Sequence, residues 1–331
     1  MLDPLRPSLY LLAVMVPIAC TTTPIALQSM TPSVLRMQVA HVPATLGGEP
    51  VTVLLDTGCD RVIVTEHSLR RLGLEPAGGQ EALIDITGTE RGGLETVELR
   101  DLRIGGMELV PFSAIVLPPS PSGGAWMIDL VAGMPVMANG AWLFDVQRSQ
   151  LRILDADLGE AKLAELGYEV VSIVPLSGRM RPRVEVTLNG RRRVSMLLDT
   201  GAAKTIVPAD DARAMALPDG RALARERTAK AIRDFKVTTN APNVEVRVKH
   251  AEPGQLTGVF GTSVVNGLHR LQALRLGSFE ATDLLVQSHE SEGLLGQDVL
   301  SRVPWLLNCA RGHLCILARR EVHDDSSADT R

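Results

Sequence analysis

Along much of the chain apolar and polar residues alternate one by one, the period of a half-buried strand. Val184-Glu-Val-Thr-Leu188 alternates and meets Asn189-Gly190, which predicts a strand entering a tight hairpin turn. Residues 49–56 and 193–199 read as strands that run into a glycine turn. The apolar spacing lengthens to three or four at 66–72 and 210–215, predicting a short helix after each of those turns. Residues 156–166 form the best helical stretch and stop at Gly167, so 156–169 is expected to be a linker helix. Gly 29 and Pro 20 are spread along the chain, as expected for many short strands joined by turns. After Ala318 the chain turns polar, and 320–331 is expected to be a disordered tail.

The pattern repeats. Leu54-Leu-Asp-Thr-Gly58 recurs as Leu197-Leu-Asp-Thr-Gly201, and Ile63-Val64 recurs at the same spacing as Ile206-Val207. Residues 133–154 align with 296–317 without a gap: Gly133 with Gly296, Val136 with Val299, Trp142-Leu143 with Trp305-Leu306, Arg148 with Arg311 and Leu151 with Leu314. Between these anchors Leu102-Arg-Ile-Gly105 resembles Leu274-Arg-Leu-Gly277. The offset is 143 residues at the start and 163 at the end, so the second copy carries 20 additional residues (163 − 143). Two duplicated β-rich lobes are expected, at 38–155 and 170–319.

Composition narrows this only slightly. Of the 331 residues 45% are hydrophobic but 3% aromatic, so the core is built from aliphatic side chains. The net charge is −4 and the arginines are scattered, leaving no concentrated basic face for a nucleic acid. The apolar run from Leu9 to Ile18 is too short to span a bilayer and fits the core of a signal peptide at 1–20. Ala19-Cys20 followed by Thr-Thr-Thr-Pro resembles a bacterial lipoprotein cleavage site, with 21–37 as a linker. Export is the expectation, to the periplasm or to a membrane anchored through a lipidated Cys20. Cys309 and Cys315 flank a turn at 310–313; they either pair across a hairpin or stay buried thiols, and with His313 alone they make no metal site.

One Asp-Thr-Gly is a common turn. Two, each at the end of an apolar strand and each followed by a matching downstream glycine, are a different observation. A carboxylate directly after Leu-Leu is at risk of burial, which is costly unless the group is paired or hydrogen-bonded. If the lobes face each other, Asp56 and Asp199 meet around one water and share a proton, because two adjoining carboxyls do not both ionise. The ionised one is then placed to deprotonate water and the protonated one to hydrogen-bond a carbonyl. Pepsin is the standard example of that logic. Gly58 and Gly201 let the backbone N–H groups approach the carboxylates, and Thr57 and Thr200 offer hydroxyls across the lobe interface. No metal or other cofactor is called for.

Hydrophobic-hydrophobic-Asp-Thr-Gly, followed by Val131-Ala-Gly133 in one copy and Leu294-Leu-Gly-Gln-Asp-Val-Leu300 in the other, resembles the retropepsin-like and pepsin-like aspartic proteases over 38–155 and 170–318. The resemblance implies an all-β, bilobal acid-protease fold: two retropepsin-like β-barrel lobes related by pseudo-twofold symmetry, with few short helices. It implies a monomeric endopeptidase whose catalytic residues are Asp56 and Asp199, acting on a peptide or protein in extended conformation. Three departures stand out: Cys59 where the second copy has Ala202, Pro135 where it has Asp298, and no flap tyrosine, since the tyrosines are Tyr10 and Tyr168. The flaps are accordingly expected at Asp85-Ile-Thr-Gly88 and Val259-Phe-Gly-Thr262. The competing readings are a catalytically silent peptide- or ligand-binding envelope lipoprotein on the same scaffold, and a homodimer in which each lobe pairs with its twin. His289-Glu290 lacks the second histidine of a metalloprotease, and no Gly-x-Ser-x-Gly is present.

Overall fold

The computed structural model describes residues 25–26, 28–29, 40–84, 89–105, 107–118, 128–138, 140–238, 255–257, 262–264, 266–290 and 292–320. The leader with Cys20, most of the 21–37 linker, both expected flap tips and the tail from 321 lie outside these residues.

Strands dominate, and their order is the same in both halves. In the first, Ala40–Leu46 and Glu49–Leu55 form a hairpin that turns at Gly47 and Gly48, both at positive φ (59° and 89°). Glu49–Leu55 then pairs in parallel with Leu130–Ala132, which lies antiparallel to Val62–Thr65. Val62–Thr65 in turn runs parallel to Phe112–Leu117. In the second half Arg183–Leu188 and Arg192–Leu198 turn at Asn189 and Gly190 (φ 47° and 66°), the left-handed pair a tight hairpin needs. Arg192–Leu198 is parallel to Gly293–Leu295, which is antiparallel to Ile206–Pro208, itself parallel to Phe279–His289. Gly105 and Gly277, matched in the sequence, both reverse the chain at φ 58°. The second half closes into a six-stranded barrel through Gly267–Leu276. The first stays an open sheet, extended by the hairpin of Gln80–Ile84 and Glu90–Leu99. Both interiors are filled by aliphatic side chains such as Val42, Val53 and Leu55 in one half and Val186, Leu198 and Leu284 in the other.

A sheet of six strands joins the halves, in the order Ile25–Ala26, Gln150–Leu154, Ala141–Asp145, Trp305–Asn308, His313–Arg319, Tyr168–Pro175. Its central register is symmetric: Trp142 lies opposite Leu307 and Phe144 opposite Trp305. Phe144 stacks on Trp305 with ring centroids 4.2 Å apart. Leu143, Leu154, Leu306 and Leu317 form a second buried cluster with Leu163 and, partly buried, Leu166. Those last two bring in the short helix Glu160–Glu165, which starts after an extended Gly159 and gives way to Gly167 at positive φ. The linker is thus helical over six residues of its expected length, and it packs on the sheet that unites the halves.

Asp145 and Asn308 hold equivalent ends of the two central strands. Asn308 Oδ1 accepts from the Arg311 N–H (3.0 Å) and its Nδ2 donates to Ala156 O (2.8 Å). Asp145 Oδ1 accepts from the Arg148 N–H (3.2 Å), and Oδ2 accepts from Tyr168 Oη and Arg319 Nε, both 2.9 Å. Burial alone would raise the Asp145 carboxyl, but the bonds from Arg319 and Tyr168 outweigh it and hold it below the usual carboxylate range. The phenol is pushed up to about 12 by its own burial and by Asp145. A depressed carboxylate contributes stability that is present above its unfolded value, near pH ~3.9, and is lost as pH falls through the folded value. Asp145→Ala leaves Tyr168 and Arg319 without their acceptor and should cost about 3–5 kcal/mol at neutral pH. Thermal unfolding from pH 7 to 2 should show the deficit shrinking below about pH 4; a deficit that stays constant would contradict the assignment.

Two expectations change. Cys309 and Cys315 are free thiols, as is Cys59. The hairpin register sets Cys315 opposite Leu306 and leaves Cys309 in the turn, and the two side chains belong to different buried clusters, so the disulfide alternative is dropped. Arg221–Thr238, not foreseen as a helix, is an 18-residue one. It begins where Asp219 Oδ1 accepts the Arg221 N–H (2.9 Å), and Arg227 ties it to Asp283 (2.7 Å). It accounts for most of the extra length of the second half.

Candidate functional site

The two Asp-Thr-Gly loops meet where the halves join. Each follows a buried strand: Asp56 its Leu55, Asp199 its Leu198. The backbone N–H of Asp56 donates to Ala132 O and that of Asp199 to Leu295 O, both at 3.1 Å, so each aspartate is fixed at the end of a parallel strand pair. Thr57 and Thr200 are fully buried and reach across the interface. Thr57 Oγ1 donates to Leu198 O (2.7 Å) and accepts the Thr200 N–H (3.0 Å). Thr200 Oγ1 donates to Leu55 O (2.7 Å) and accepts the Thr57 N–H (2.9 Å). Each hydroxyl is satisfied as both donor and acceptor entirely by the other loop.

The glycines carry the approach of the carboxyls. A Cβ on Gly58 would fall 2.6 Å from Asp199 Cγ, and one on Gly201 2.6 Å from Asp56 Cγ. Each carboxyl therefore lies directly over the other loop's glycine, where no side chain fits. The downstream glycines are equally constrained. A Cβ on Gly296 would stand 2.6 Å from the Lys204 carbonyl, and one on Gly133 would run into the carbonyls of Arg61 and Cys59. The limit is space, because neither glycine has a positive φ.

Asp56 and Asp199 adjoin each other, each carboxyl seated against the other loop's glycine, and their titrations are linked. Asp199 is the more enclosed, 7% exposed, while Asp56 is half-buried. Burial, then the adjoining Asp56 charge, push the Asp199 carboxyl well above the usual range. Burial also raises Asp56, opposed by N–H donors at Gly58, Cys59 and Gly201. Asp199 receives the N–H of Ala202 (2.8 Å) and shares that of Gly201. Two adjoining buried carboxyls share one proton, and the stronger upward push on Asp199 favours its seat there. Such a pair can both take a proton from a water and give one to an oxygen.

Around the pair the halves differ. Cys59 is half-buried, its thiol raised by burial and by Asp56 and directed at Arg61 O (3.4 Å), which suits a small filler. Behind the Asp199 loop, Asp298 Oδ1 accepts from Thr205 N (2.9 Å) and Oγ1 (2.7 Å), and Gln297 Nε2 donates to Thr200 O (3.0 Å). The first half has Val62, Pro135 and Met134 at those places. Gln297 stands in the Gly-Gln-Asp motif, but nothing in its spacing signals this contact. Tyr168 sits in the inter-lobe sheet with Asp145, away from the aspartate loops. The segments 85–88 and 259–261, where flaps are expected, lie outside the described residues; the strands that flank them pair as hairpins, Gln80–Ile84 with Glu90–Leu99 and Gln255–Thr257 with Thr262–Val264. Among the described residues no group of three or more His, Cys, Asp or Glu could hold a metal ion.

Two β lobes, each giving one Asp-Thr-Gly loop to a shared carboxyl pair, define the aspartic protease class. Residues 42–136 match the aspartyl protease family, and residues 184–252 match the gag-polyprotein aspartyl protease family. The two matches, one in each half, support a retropepsin-like aspartic protease. A comparison with curated proteins gives no match.

Proposed function

We propose that the protein is an aspartic-type endopeptidase in which Asp56 and Asp199 activate one water. The observation that carries the reading is the adjoining carboxyl pair, contributed by two loops that lock each other through Thr57 and Thr200. The Asp56 carboxylate takes a proton from the water as its oxygen attacks the scissile carbonyl carbon, and Asp199 gives its proton to the carbonyl oxygen. A tetrahedral diol forms. Its collapse returns a proton to Asp199, while the proton held on Asp56 passes to the amide nitrogen, which leaves as an amine. A peptide in extended conformation fits this reading. Delivery to the periplasm or to a membrane through Cys20 belongs to the same proposal and rests on the leader's composition.

The test is cleavage of a peptide library, scanned from pH 3 to 8, by the wild-type chain and by Asp56→Asn. Asparagine keeps the size and the acceptor oxygen but removes the base. Cleavage should fall by about 10³-fold or more in the variant. A variant that cleaves as fast as wild type would end the reading.

A further inference from the structure

The two aspartates are equivalent in sequence, but the peptide units that face them are not held alike. Gln297 is 3% exposed and opens the helix Gln297–Leu300. Its backbone N–H donates to Ala202 O at 2.8 Å, as that of Met134 does to Cys59 O at 2.8 Å, so the two residues occupy matching places. Their side chains part company there. Gln297 Nε2 donates to Thr200 O (3.0 Å), whereas a thioether has no N–H to give. The carbonyl so held belongs to the same peptide unit as the Gly201 N–H, and Gly201 packs directly against the Asp56 carboxyl, where a Cβ would fall 2.6 Å from Asp56 Cγ. A planar peptide clamped at its oxygen is clamped at its hydrogen too. Asp298, which holds Thr205 behind the same loop, stiffens this side further.

We propose that Gln297 is a positioning residue for the carboxyl pair: by holding the Thr200 carbonyl it aims the Gly201 N–H at Asp56, which keeps Asp56 ionised and leaves the shared proton on Asp199. The asymmetry of the pair is then written into the second half alone. Asp56 accepts the Gly58 N–H of its own loop (2.9 Å), and Gly201 of the other loop packs against it, its N–H helping to lower the Asp56 carboxyl. The more enclosed Asp199 accepts the Ala202 N–H (2.8 Å), but burial and the adjoining Asp56 charge raise it further, so it is the carboxyl that stays protonated.

The inference rests on the endopeptidase reading for its kinetic consequence, but not for its electrostatic one, and the experiment separates the two. Gln297→Met copies the residue that the first half already accommodates. With a cleaved peptide as substrate, kcat should fall about tenfold, less than for loss of a donor in direct contact with the reacting oxygen, with KM within about twofold. The acid limb of kcat/KM should move toward neutral pH as Asp56 loses its donor. In parallel, the pH dependence of thermal unfolding that Asp199→Asn removes should differ between the wild-type and Gln297→Met backgrounds. That readout needs no substrate. Gln297→Glu is isosteric and keeps an O–H donor only while protonated, so its rate ratio to wild type should be near one in acid and widen as pH rises. Unmoved limbs and an unchanged unfolding difference, or a Glu ratio independent of pH, overturn the proposal. If no peptide is cleaved but the unfolding difference shifts, the endopeptidase reading fails while the positioning role stands.

Discussion

Asp199→Asn should give a protein that no longer cleaves peptides and that is harder to unfold than the wild type at pH 7. The loss of cleavage, about 10³-fold or more, follows from removing the only proton the pair can offer a carbonyl oxygen. The gain in stability follows from the sign of the shift. Burial and the adjoining charge raise the Asp199 carboxyl in the folded chain. A carboxyl whose folded value lies above its unfolded one contributes stability that is fully present below the unfolded value, near pH ~3.9, and is lost as pH rises through the folded value. At neutral pH the pair is therefore a burden on the fold, kept for its chemistry. An amide needs no proton taken up on folding, as Asp199 does at neutral pH, and it keeps the oxygen that accepts the Ala202 N–H. The expected gain is on the order of 1 kcal/mol, about 2–4 °C in Tm, shrinking toward zero below about pH 4. Thermal unfolding of both proteins across that range is the measurement. A variant less stable than wild type at pH 7 would show that the pair is not strained in the way its burial indicates.

The second large effect is expected at Thr57. Thr57→Val preserves the shape and removes the hydroxyl, which orphans the Leu198 carbonyl and the Thr200 N–H together, both inside the interface. Each buried group left without a partner costs about 1–3 kcal/mol, so the destabilisation should reach several kcal/mol. Activity should fall out of proportion to the folded fraction, since the same bonds set one loop against the other and a small misplacement of reacting groups is costly. Thr57→Ser should recover most of both losses, and Thr200→Val should behave as Thr57→Val does, because the bonds are reciprocal. Denaturant unfolding with active-site titration would measure this; a Thr57→Ser variant as impaired as Thr57→Val would show that the hydroxyl is not what holds the loops together.

How far the sequence alone could see depends on which interactions repeat along it. The strands leading to Asp56 and Asp199, the hairpin turn at Asn189-Gly190, and the short helices Glu66–Arg71 and Ala209–Ala214 were legible because periodicity and turn chemistry are local. The place of the glycines at 133 and 296 was legible only through the repeat. Arg221–Thr238 was not seen: its composition favours helix by propensity, but it carries little of the amphipathic stripe that signals a packed helix. The pairing of Cys309 with Cys315 was undecidable because register decides it, and register is set by partners far off in the chain. Asp145 with Arg319, and Gln297 with Thr200, join residues 174 and 97 positions apart, and no local signal marks either bond. Polar side chains buried between elements are where pattern reading ends.

The seam between Ala141–Asp145 and Trp305–Asn308 reads the same from either side, Trp142 against Leu307 and Phe144 against Trp305. Register by itself therefore gives neither strand a reason to prefer the other half of its own chain over a counterpart in a second molecule. What favours the internal partner is tethering. The short connection between Leu154 and Tyr168 keeps the two halves at an effective concentration in the millimolar range, far above any cellular abundance of a second copy. Joining the halves thus changes assembly from a bimolecular step, governed by how much protein is present, into a unimolecular one that dilution leaves untouched. It also frees the two loops to diverge, since a substitution such as Met134 or Gln297 then falls on one side of the pair alone.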